Sequence, residues 1–153
     1  MITPAPTPAR RHPRPGRDAA SAVRRSRCSR AGLALMYGIL DGFLQGTALL
    51  TAAGVDAAAF TPVASGGLAT VASWLPGYAR QIDEGAYAAA DSTMDTHLAA
   101  IDHLVHESES LGVSTEFPRF VKALADRAIA DGHGGNGYPA LIEQFRKPAG
   151  DRP

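Results

Sequence analysis

Four side chains in this sequence combine an apolar body with a polar end, or lie beside apolar neighbours, and could form the wall of a ligand pocket. They are Tyr37, Trp74, Thr96 and His97, and each lies in a segment with helical periodicity. Side chains of this kind orient small molecules that bind between helices. The same residue types also pack in ordinary protein cores with a satisfied hydroxyl, indole or imidazole, so both interpretations stay open.

Two further groups of residues could carry chemistry but lack the partners that it needs. His103 and His106 are neighbours on a predicted helix, but two histidines without a third ligand predict a solvated face and no metal. The glycine-rich segment 131–137 follows a helix, whereas a phosphate-binding loop follows a strand. We interpret that segment as a flexible link between helices. The sequence assigns no cofactor-binding residue, and the catalytic residues stay unknown.

The stretch 31–53 is the element on which the predicted fold is built. It is predominantly apolar and contains no proline, so it predicts one long helix. Ala34, Gly38, Gly42 and Gly46 recur at every fourth position and form a ridge with almost no side chain. Because glycine inside a helix costs roughly 1 kcal/mol relative to alanine, the ridge predicts that another backbone lies against it.

A membrane-spanning helix is the alternative for this stretch, because arginines precede it and small residues recur along one face. Asp41 lies near its middle, and an aspartate there costs roughly 2.5–3.5 kcal/mol on insertion into a bilayer. Tyr37 and Gln45 add further polar groups. We therefore predict a helix between subunits of a cytoplasmic protein that contacts no membrane.

Positive charge is concentrated at the N-terminus of a chain whose formal net charge is zero. Residues 1–30 contain eight of the 15 basic residues, one acidic residue and several prolines, which predicts a disordered basic tail. Such a tail could neutralise phosphates, but it has no aromatic residue to stack on bases, and we expect no nucleic-acid partner. The single cysteine, Cys28, excludes an intramolecular disulfide.

The remainder of the chain is rich in alanine and poor in β-branched runs, which predicts an all-α helical bundle over residues 31–147 and a frayed tail at 148–153. Glycine, proline and serine mark the expected ends of the helices. The elements predicted after the long helix are a turn at 56–59, a helix from 61 to 84 kinked at Pro76, a helix over 93–111 capped by Ser92, a helix capped by Ser114, and a short helix over 138–147. The apolar spacing predicts an inner face on the 93–111 helix and an apolar stripe on the helix after Ser114. The inner face consists of Met94, Leu98, Ile101, Val105 and Ser108, and the stripe of Phe117, Phe120, Val121, Leu124, Ala128 and Ile129.

Four segments of the chain resemble, in order and approximate spacing, the C-terminal helical domain of bacterial and fungal imine reductases and reductive aminases. These enzymes are relatives of the 3-hydroxyisobutyrate dehydrogenases. The resemblance covers residues 31–147 and implies a domain like the C-terminal domain of 6-phosphogluconate dehydrogenase, intertwined with a second copy in a homodimer. The segments are MYGILDGFLQGTALLTAAGVDAAAF, LPGYARQIDEGAY, HLAAIDHLVHESESLGV and ADGHGGNGYPALIEQFRK.

The resemblance also implies an activity, the NADPH-dependent reduction of C=N bonds. In this family the active site lies between the Rossmann domain of one subunit and the helical bundle of the other. The resemblance places a proposed proton donor near Ser29, and serine is a poor acid at neutral pH, so that role stays unassigned. The residues at or near substrate-pocket positions of the family are Tyr37, Trp74, Thr96 and His97.

We therefore expect the substrate-pocket and dimerisation domain of an oxidoreductase, without the family's Rossmann domain, unable to hold NADP(H) and inactive alone. Whether the chain is itself an enzyme stays open. The expected partners are a second copy, a separate Rossmann-domain chain and a small imine or amine substrate. The alternative is a helical dimerisation or interaction module whose basic arm binds an anionic partner.

Overall fold

The computed structural model describes residues 15–146, with side chains from residue 21 onward. Within this range the fold is all-α, as predicted, and the one β-bridge pairs Ala88 with Asn136. The described residues divide into two compact units, one that ends at Leu40 and one that begins at Asp41. The helices are α1 (Pro15–Ala52), α2 (Ala57–Glu84), α3 (Met94–Ser110), α4 (Glu116–Ala128) and α5 (Ile142–Arg146), with a π-helical turn at Ile129–His133 and a 3₁₀ turn at Tyr138–Leu141.

Helix α1 begins at Pro15, inside the region that was predicted to be a disordered tail. Proline fits the first turn of a helix, where its missing N–H would have no intrahelical partner. The residues that follow are rich in alanine and arginine, which favour helix, and no further proline interrupts them. The prediction was therefore wrong for residues 15–30, while residues 1–14 and 148–153 lie outside the described range.

The glycine ridge of α1 is largely open within this chain. A Cβ atom added at Gly38 or Gly42 would meet no atom of the described residues within 4 Å. A Cβ at Gly46 would come within 2.8 Å of the Phe60 ring, which belongs to α2. The ridge is thus contacted at Gly46 by a side chain, and the backbone that was predicted to lie against it is not supplied by the described part of the chain.

By length and composition, the part of α1 from Ser21 to Ala52 could cross a membrane, with a mean hydropathy of 1.4. None of its most apolar window is buried within the chain. A helix at an interface between protein subunits can have the same length and composition, so these two properties do not assign α1 to a membrane.

The C-terminal end of α1 is held by contacts with α2 and with the corner between α3 and α4. Gln45 donates from Nε2 to Ser108 Oγ and to the Ser114 carbonyl, both at 3.2 Å. Phe43 stacks on Phe60 with ring centroids 5.5 Å apart. The helix then ends before Gly54, whose φ of +79° is the left-handed conformation expected of a C-terminal glycine.

Helix α2 continues through both of its prolines, Pro62 and Pro76. The turn predicted after Asp56 is in fact the first turn of this helix, and Asp56 is its N-cap residue. Each proline removes one helical hydrogen bond, but the alanine-rich sequence between them favours helix strongly. The helix ends where predicted, at Gly85, with a φ of +65°.

The core of the second unit lies where α3 and α4 pack together and against the C-terminal turns. The predicted inner face of α3 is confirmed, because Met94 and Ser108 are fully buried and Leu98 and Ile101 pack against the core. The predicted stripe on α4 is only partly confirmed. Its core residues are Leu124, Ala125 and Ala128, whereas Phe120 is 58% exposed.

The segment 131–137 is hydrogen-bonded to two other elements and is not the flexible link that was predicted. The carbonyls of Asn136 and Gly134 accept from the N–H groups of Met94 and Asp95, at 2.8 and 3.1 Å. These bonds satisfy donors in the first turn of α3 that have no partner inside the helix. Thr93, and not the predicted Ser92, caps the same helix, since its Oγ1 accepts from Thr96 N–H.

Candidate functional site

A pocket of about 320 Å³ is bounded by α2, the connector between α2 and α3, the start of α3 and the turn at 137–139. This volume is at the lower end of the range for small-molecule sites, which is about 300–1,000 Å³. Aromatic side chains form much of its wall, and charged and amide groups lie among them. Its lining residues include Trp74, Tyr78, Arg80, Asp91, His97 and Tyr138.

Two aromatic pairs from different elements form the walls. Trp74 and Tyr78 lie one turn apart on α2, with ring centroids 6.4 Å apart and planes tilted by 34°. His97 of α3 meets Tyr138 edge to face, with centroids 4.9 Å apart. The pocket therefore offers flat apolar surfaces together with hydroxyl and imidazole groups that can form hydrogen bonds.

The two tyrosine hydroxyls of the pocket stay protonated at neutral pH. Burial raises the pKa of Tyr78 above its ordinary value of 10.0, and the negative charge of Asp91 raises it further. Burial also raises the pKa of Tyr138 above 10.0, with a smaller contribution from Tyr78. Both groups can therefore donate a hydrogen bond to a ligand atom, and neither is poised to act as a base near pH 7.

Tyr87 holds together the connector and the turn that form one side of the pocket. Its carbonyl accepts from Gly137 N–H at 2.8 Å and from Asn136 Nδ2 at 3.2 Å. Its hydroxyl donates to the Glu143 carboxylate, which Arg146 Nη1 also contacts at 2.8 Å. Gly137 directly precedes Tyr138, so these hydrogen bonds hold the backbone next to Tyr138, which forms a wall of the pocket with His97.

Replacing Tyr87 by phenylalanine is expected to raise the pKa of Glu143. The hydrogen bond from Tyr87 is the main reason that the pKa of Glu143 lies below its ordinary value of 4.5, and Arg146 lowers it further. A carboxyl whose pKa is lowered in the folded state stabilises the fold at pH values above its unfolded-state pKa. This contribution is lost as the pH falls through the lowered pKa. The stability difference between wild type and Tyr87→Phe should therefore shrink in acid.

The measurement is an NMR titration of the Glu143 carboxyl carbon, paired with urea unfolding between pH 3 and 7. Tyr37→Phe is the matched control, because Tyr37 is 59% exposed and its hydroxyl forms none of the hydrogen bonds to Glu143. An unchanged Glu143 titration in Tyr87→Phe would contradict the assigned hydrogen bond.

The structure brings two of the four predicted site residues into this pocket, Trp74 and His97. Thr96 is exposed, and its Oγ1 lies 3.1 Å from Thr93 Oγ1, at the capped end of α3. Successive residues of a helix point about 100° apart, so Thr96 and His97 face different directions. Tyr37 is exposed on α1, in the first unit. Substrate binding by these four residues stays a prediction.

Three of the lining residues, Tyr78, Asp91 and Tyr138, were not predicted as site residues from the sequence. Tyr78 could have been found, because it follows Trp74 by four positions on a predicted helix and must share its face. Asp91 lies in a connector and Tyr138 at the start of a turn. Their positions next to α2 and α3 depend on tertiary packing, for which the sequence carries no local signal.

Metal-ligating residues do not cluster in the part of the chain that the structure describes. No group of three or more His, Cys, Asp or Glu side chains there could hold a metal ion. His103 and His106 are exposed on α3.

Comparison with known families assigns the domain. The profile of a family described as "NADPH-dependent reductive aminase-like, C-terminal domain" matches residues 26–147. The chain belongs to this family. The match begins slightly before the predicted boundary at residue 31, which agrees with the observed extension of α1 toward the N-terminus.

Individual relatives of this reductive aminase-like domain agree with the assignment. The chain is 34% identical over 134 residues to an NADPH-dependent reductive aminase of Aspergillus oryzae, covering 86% of this chain. It resembles the reductive aminase of Aspergillus terreus in complex with NADPH4, cyclohexanone and allyl amine, at 38% identity, a TM-score of 0.73 and 76% coverage. A Streptomyces aurantiacus imine reductase matches at 28% identity, with a TM-score of 0.71 and 77% coverage.

The chain spans less than half the length of each of these relatives. It covers 44% of the Aspergillus oryzae protein and 41% of each of the two solved chains. The relatives share the helical C-terminal domain with this chain.

Proposed function

We propose that this chain forms the substrate-pocket and dimerisation half of an NADPH-dependent imine reductase or reductive aminase. The observation that carries the proposal is the aromatic pocket, which lies within the residues that match the family. Trp74 and Tyr138 supply flat surfaces for the apolar part of a substrate. Tyr78 and His97 supply polar groups for its nitrogen or carbonyl oxygen.

A small imine fits the dimensions and chemistry of this pocket. The related Aspergillus terreus enzyme was solved with cyclohexanone and allyl amine, whose condensation would give an imine of modest size. A cavity of about 320 Å³ can enclose a molecule of that size. In this proposal Trp74 and His97 contact the substrate from α2 and α3, and Tyr37 and Thr96 stay candidate contacts.

The described residues do not fit the cofactor itself. Dinucleotide-binding domains hold the pyrophosphate at a glycine-rich turn between a β-strand and a helix N-terminus. Residues 15–146 include no β-strand, so they contain no such unit. We therefore propose that NADP(H) is held by a Rossmann domain outside the described residues, either elsewhere on the polypeptide or on a partner chain.

The apolar surfaces of α1 and α2 support dimerisation. Large hydrophobic side chains are exposed along both helices, and Gly38 and Gly42 leave space for another backbone. Exposed apolar surface of this extent is typical of a protein interface. We propose that a second copy of the chain covers these surfaces. The exposed residues are Leu33, Leu35, Met36, Ile39, Leu40, Leu44, Val63, Leu68, Val71 and Leu75.

A cytoplasmic, soluble location belongs to the same proposal. If a second copy covers α1, its apolar side chains do not need lipid. Asp41 and Gln45 interrupt the apolar stretch, and Gln45 is already hydrogen-bonded to Ser108 and Ser114. The alternative of an interaction module with a basic arm stays a prediction; its exposed arginines, Arg24, Arg25, Arg27 and Arg30, precede the pocket-forming unit.

The proposal is tested with a chimera in which residues 26–147 replace the matching domain of the Aspergillus terreus reductive aminase. We expect the chimera to oxidise NADPH only when cyclohexanone and allyl amine are both present. The 153-residue polypeptide by itself should not oxidise NADPH. Trp74→Ala in the chimera should lower kcat/KM by about tenfold or more, because it removes one wall of the pocket.

The chimera must first be shown to fold and to bind NADPH, by circular dichroism and by quenching of its tryptophan fluorescence. Phe120→Ala is the matched control, because it also removes an aromatic ring, is 58% exposed on α4, and belongs neither to the pocket lining nor to the proposed dimer surface. A folded chimera that binds NADPH but reduces no imine would overturn the proposal.

A further inference from the structure

We infer that Asp91 makes the pocket selective for a positively charged ligand, so that a protonated amine or an iminium ion binds in preference to a neutral molecule of the same shape. This inference deepens the proposed function, on which it rests for the pocket's role as the substrate site. It adds a specificity-determining residue from the connector between α2 and α3, together with the charge state of the ligand.

The Asp91 carboxylate is available to a ligand. It lines the pocket and is exposed. None of the ion pairs formed by the described residues includes it, since those pairs join Arg119 to Glu109, Lys122 to Asp102 and Asp126, and Arg146 to Glu143. A carboxylate without a cationic partner at the mouth of an apolar pocket attracts a cation more strongly than one that is already paired.

Arg80 also lines the pocket and could cancel this charge. Of these two charged side chains, Asp91 acts on the aromatic wall. The pKa of the Tyr78 hydroxyl is raised first by burial and then by the negative charge of Asp91.

The aromatic walls favour the same kind of ligand. The faces of tryptophan and tyrosine rings carry partial negative charge and attract organic cations within about 6 Å of the ring centre. Trp74, Tyr78 and Tyr138 all line this pocket. A cationic amine with a hydrocarbon body would place its charge toward Asp91 and Tyr78 and its apolar part against Trp74.

The test uses the full 153-residue chain and a matched pair of ligands, cyclohexylamine and cyclohexanol. Cyclohexylamine is protonated at pH 7, while cyclohexanol has a similar shape and no charge. Trp74 is the only tryptophan, so its fluorescence reports binding in this pocket. We expect the ammonium ligand to bind about fivefold more tightly than the alcohol, the upper end of the scale for a contact between exposed charges.

Asp91→Asn should reduce this preference to about twofold or less while leaving the affinity for cyclohexanol unchanged. Asp83→Asn is the control, because it changes the net charge equally at an exposed position of α2 that does not line the pocket. It should retain the preference. Circular dichroism checks that both variants fold.

Equal affinities in the wild type would overturn the inference, as would a preference that survives Asp91→Asn or one that Asp83→Asn also removes. Absence of binding by either ligand would overturn it as well. Imine reduction by the chimera without charge discrimination would leave the proposed function standing and remove this inference. If the 153-residue chain discriminates between the two ligands but a folded chimera reduces no imine, the proposed function falls and the charge selectivity of the pocket stands.

Discussion

Replacing Gly42 by leucine is expected to convert a dimer of this chain into monomers. Within the described residues a Cβ at Gly42 would meet no atom within 4 Å, so the first atom of a new side chain has room inside one copy. Leucine also favours helix over glycine by roughly 0.8 kcal/mol. In a variant whose circular dichroism and urea unfolding match those of the wild type, a loss of association comes from the surface against which a second copy packs.

The expected size of this effect follows from overpacking. Extra side-chain volume at a close-packed contact costs about 1–3 kcal/mol, and the cost is counted twice in a twofold-symmetric interface. The dimer should therefore dissociate at least about thirtyfold more readily. Sedimentation equilibrium across a range of protein concentrations measures this directly.

Ala99→Leu is the control for the Gly42 substitution, because Ala99 is exposed on α3, away from the ridge. It should leave the association constant unchanged. A Gly42→Leu variant that associates as tightly as the wild type would show that the open ridge is not the dimer contact. A wild-type chain that is monomeric at all concentrations would remove the proposed dimer altogether.

Leu124→Ala is expected to produce the largest loss of folding stability among single substitutions in α4. Leu124 is 6% exposed and lies in the core cluster with Met94, Ala125, Ala128 and Leu141. Removing a buried leucine side chain loses its transfer free energy and leaves a cavity, for a typical total of about 3 kcal/mol. Urea unfolding followed by circular dichroism measures the change in the free energy of unfolding.

Phe120→Ala provides the comparison, since Phe120 lies one turn earlier on the same helix. Its side chain is larger than that of leucine, yet it is 58% exposed. We expect this substitution to cost less than about 1 kcal/mol, because most of the ring is already in water. If Phe120→Ala proves the more destabilising of the two, the packing of α4 differs from the one described.

Dimer and pocket are separate claims with separate tests. Gly42 lies on α1, whereas the pocket is lined by α2, the connector, α3 and the turn at 137–139. Ligand discrimination by Asp91 can be measured whether or not the chain dimerises. A result against one claim therefore leaves the other open to its own experiment.

The sequence alone was sufficient for the features that depend on residues close together in the chain. Helical periodicity predicted the buried face of α3 through Met94 and Ile101, and glycines marked the ends of α1 and α2. The resemblance of the four segments identified the family, which the match over residues 26–147 confirms. These signals are local because a helix repeats every 3.6 residues and its ends need particular backbone angles.

Local sequence signals gave wrong predictions in two segments where residue composition favoured disorder or flexibility. Prolines and charge predicted disorder up to residue 30, yet alanine and arginine carry α1 back to Pro15. The glycines of 131–137 predicted flexibility, yet the carbonyls of Gly134 and Asn136 cap α3. In both segments the backbone is hydrogen-bonded, within α1 in the first and to the start of α3 in the second. Residue composition alone does not predict these bonds.

Only the tertiary structure decided which side chains share the pocket. Trp74 and Tyr78 are neighbours on one helix, but His97 meets Tyr138, and Asp91 acts on Tyr78, from distant parts of the chain. In the same region Tyr87 joins the connector to the turn at 136–137 through its carbonyl. Contacts of this kind depend on how helices and turns pack against one another in the tertiary structure. Short-range sequence patterns carry no information about this packing.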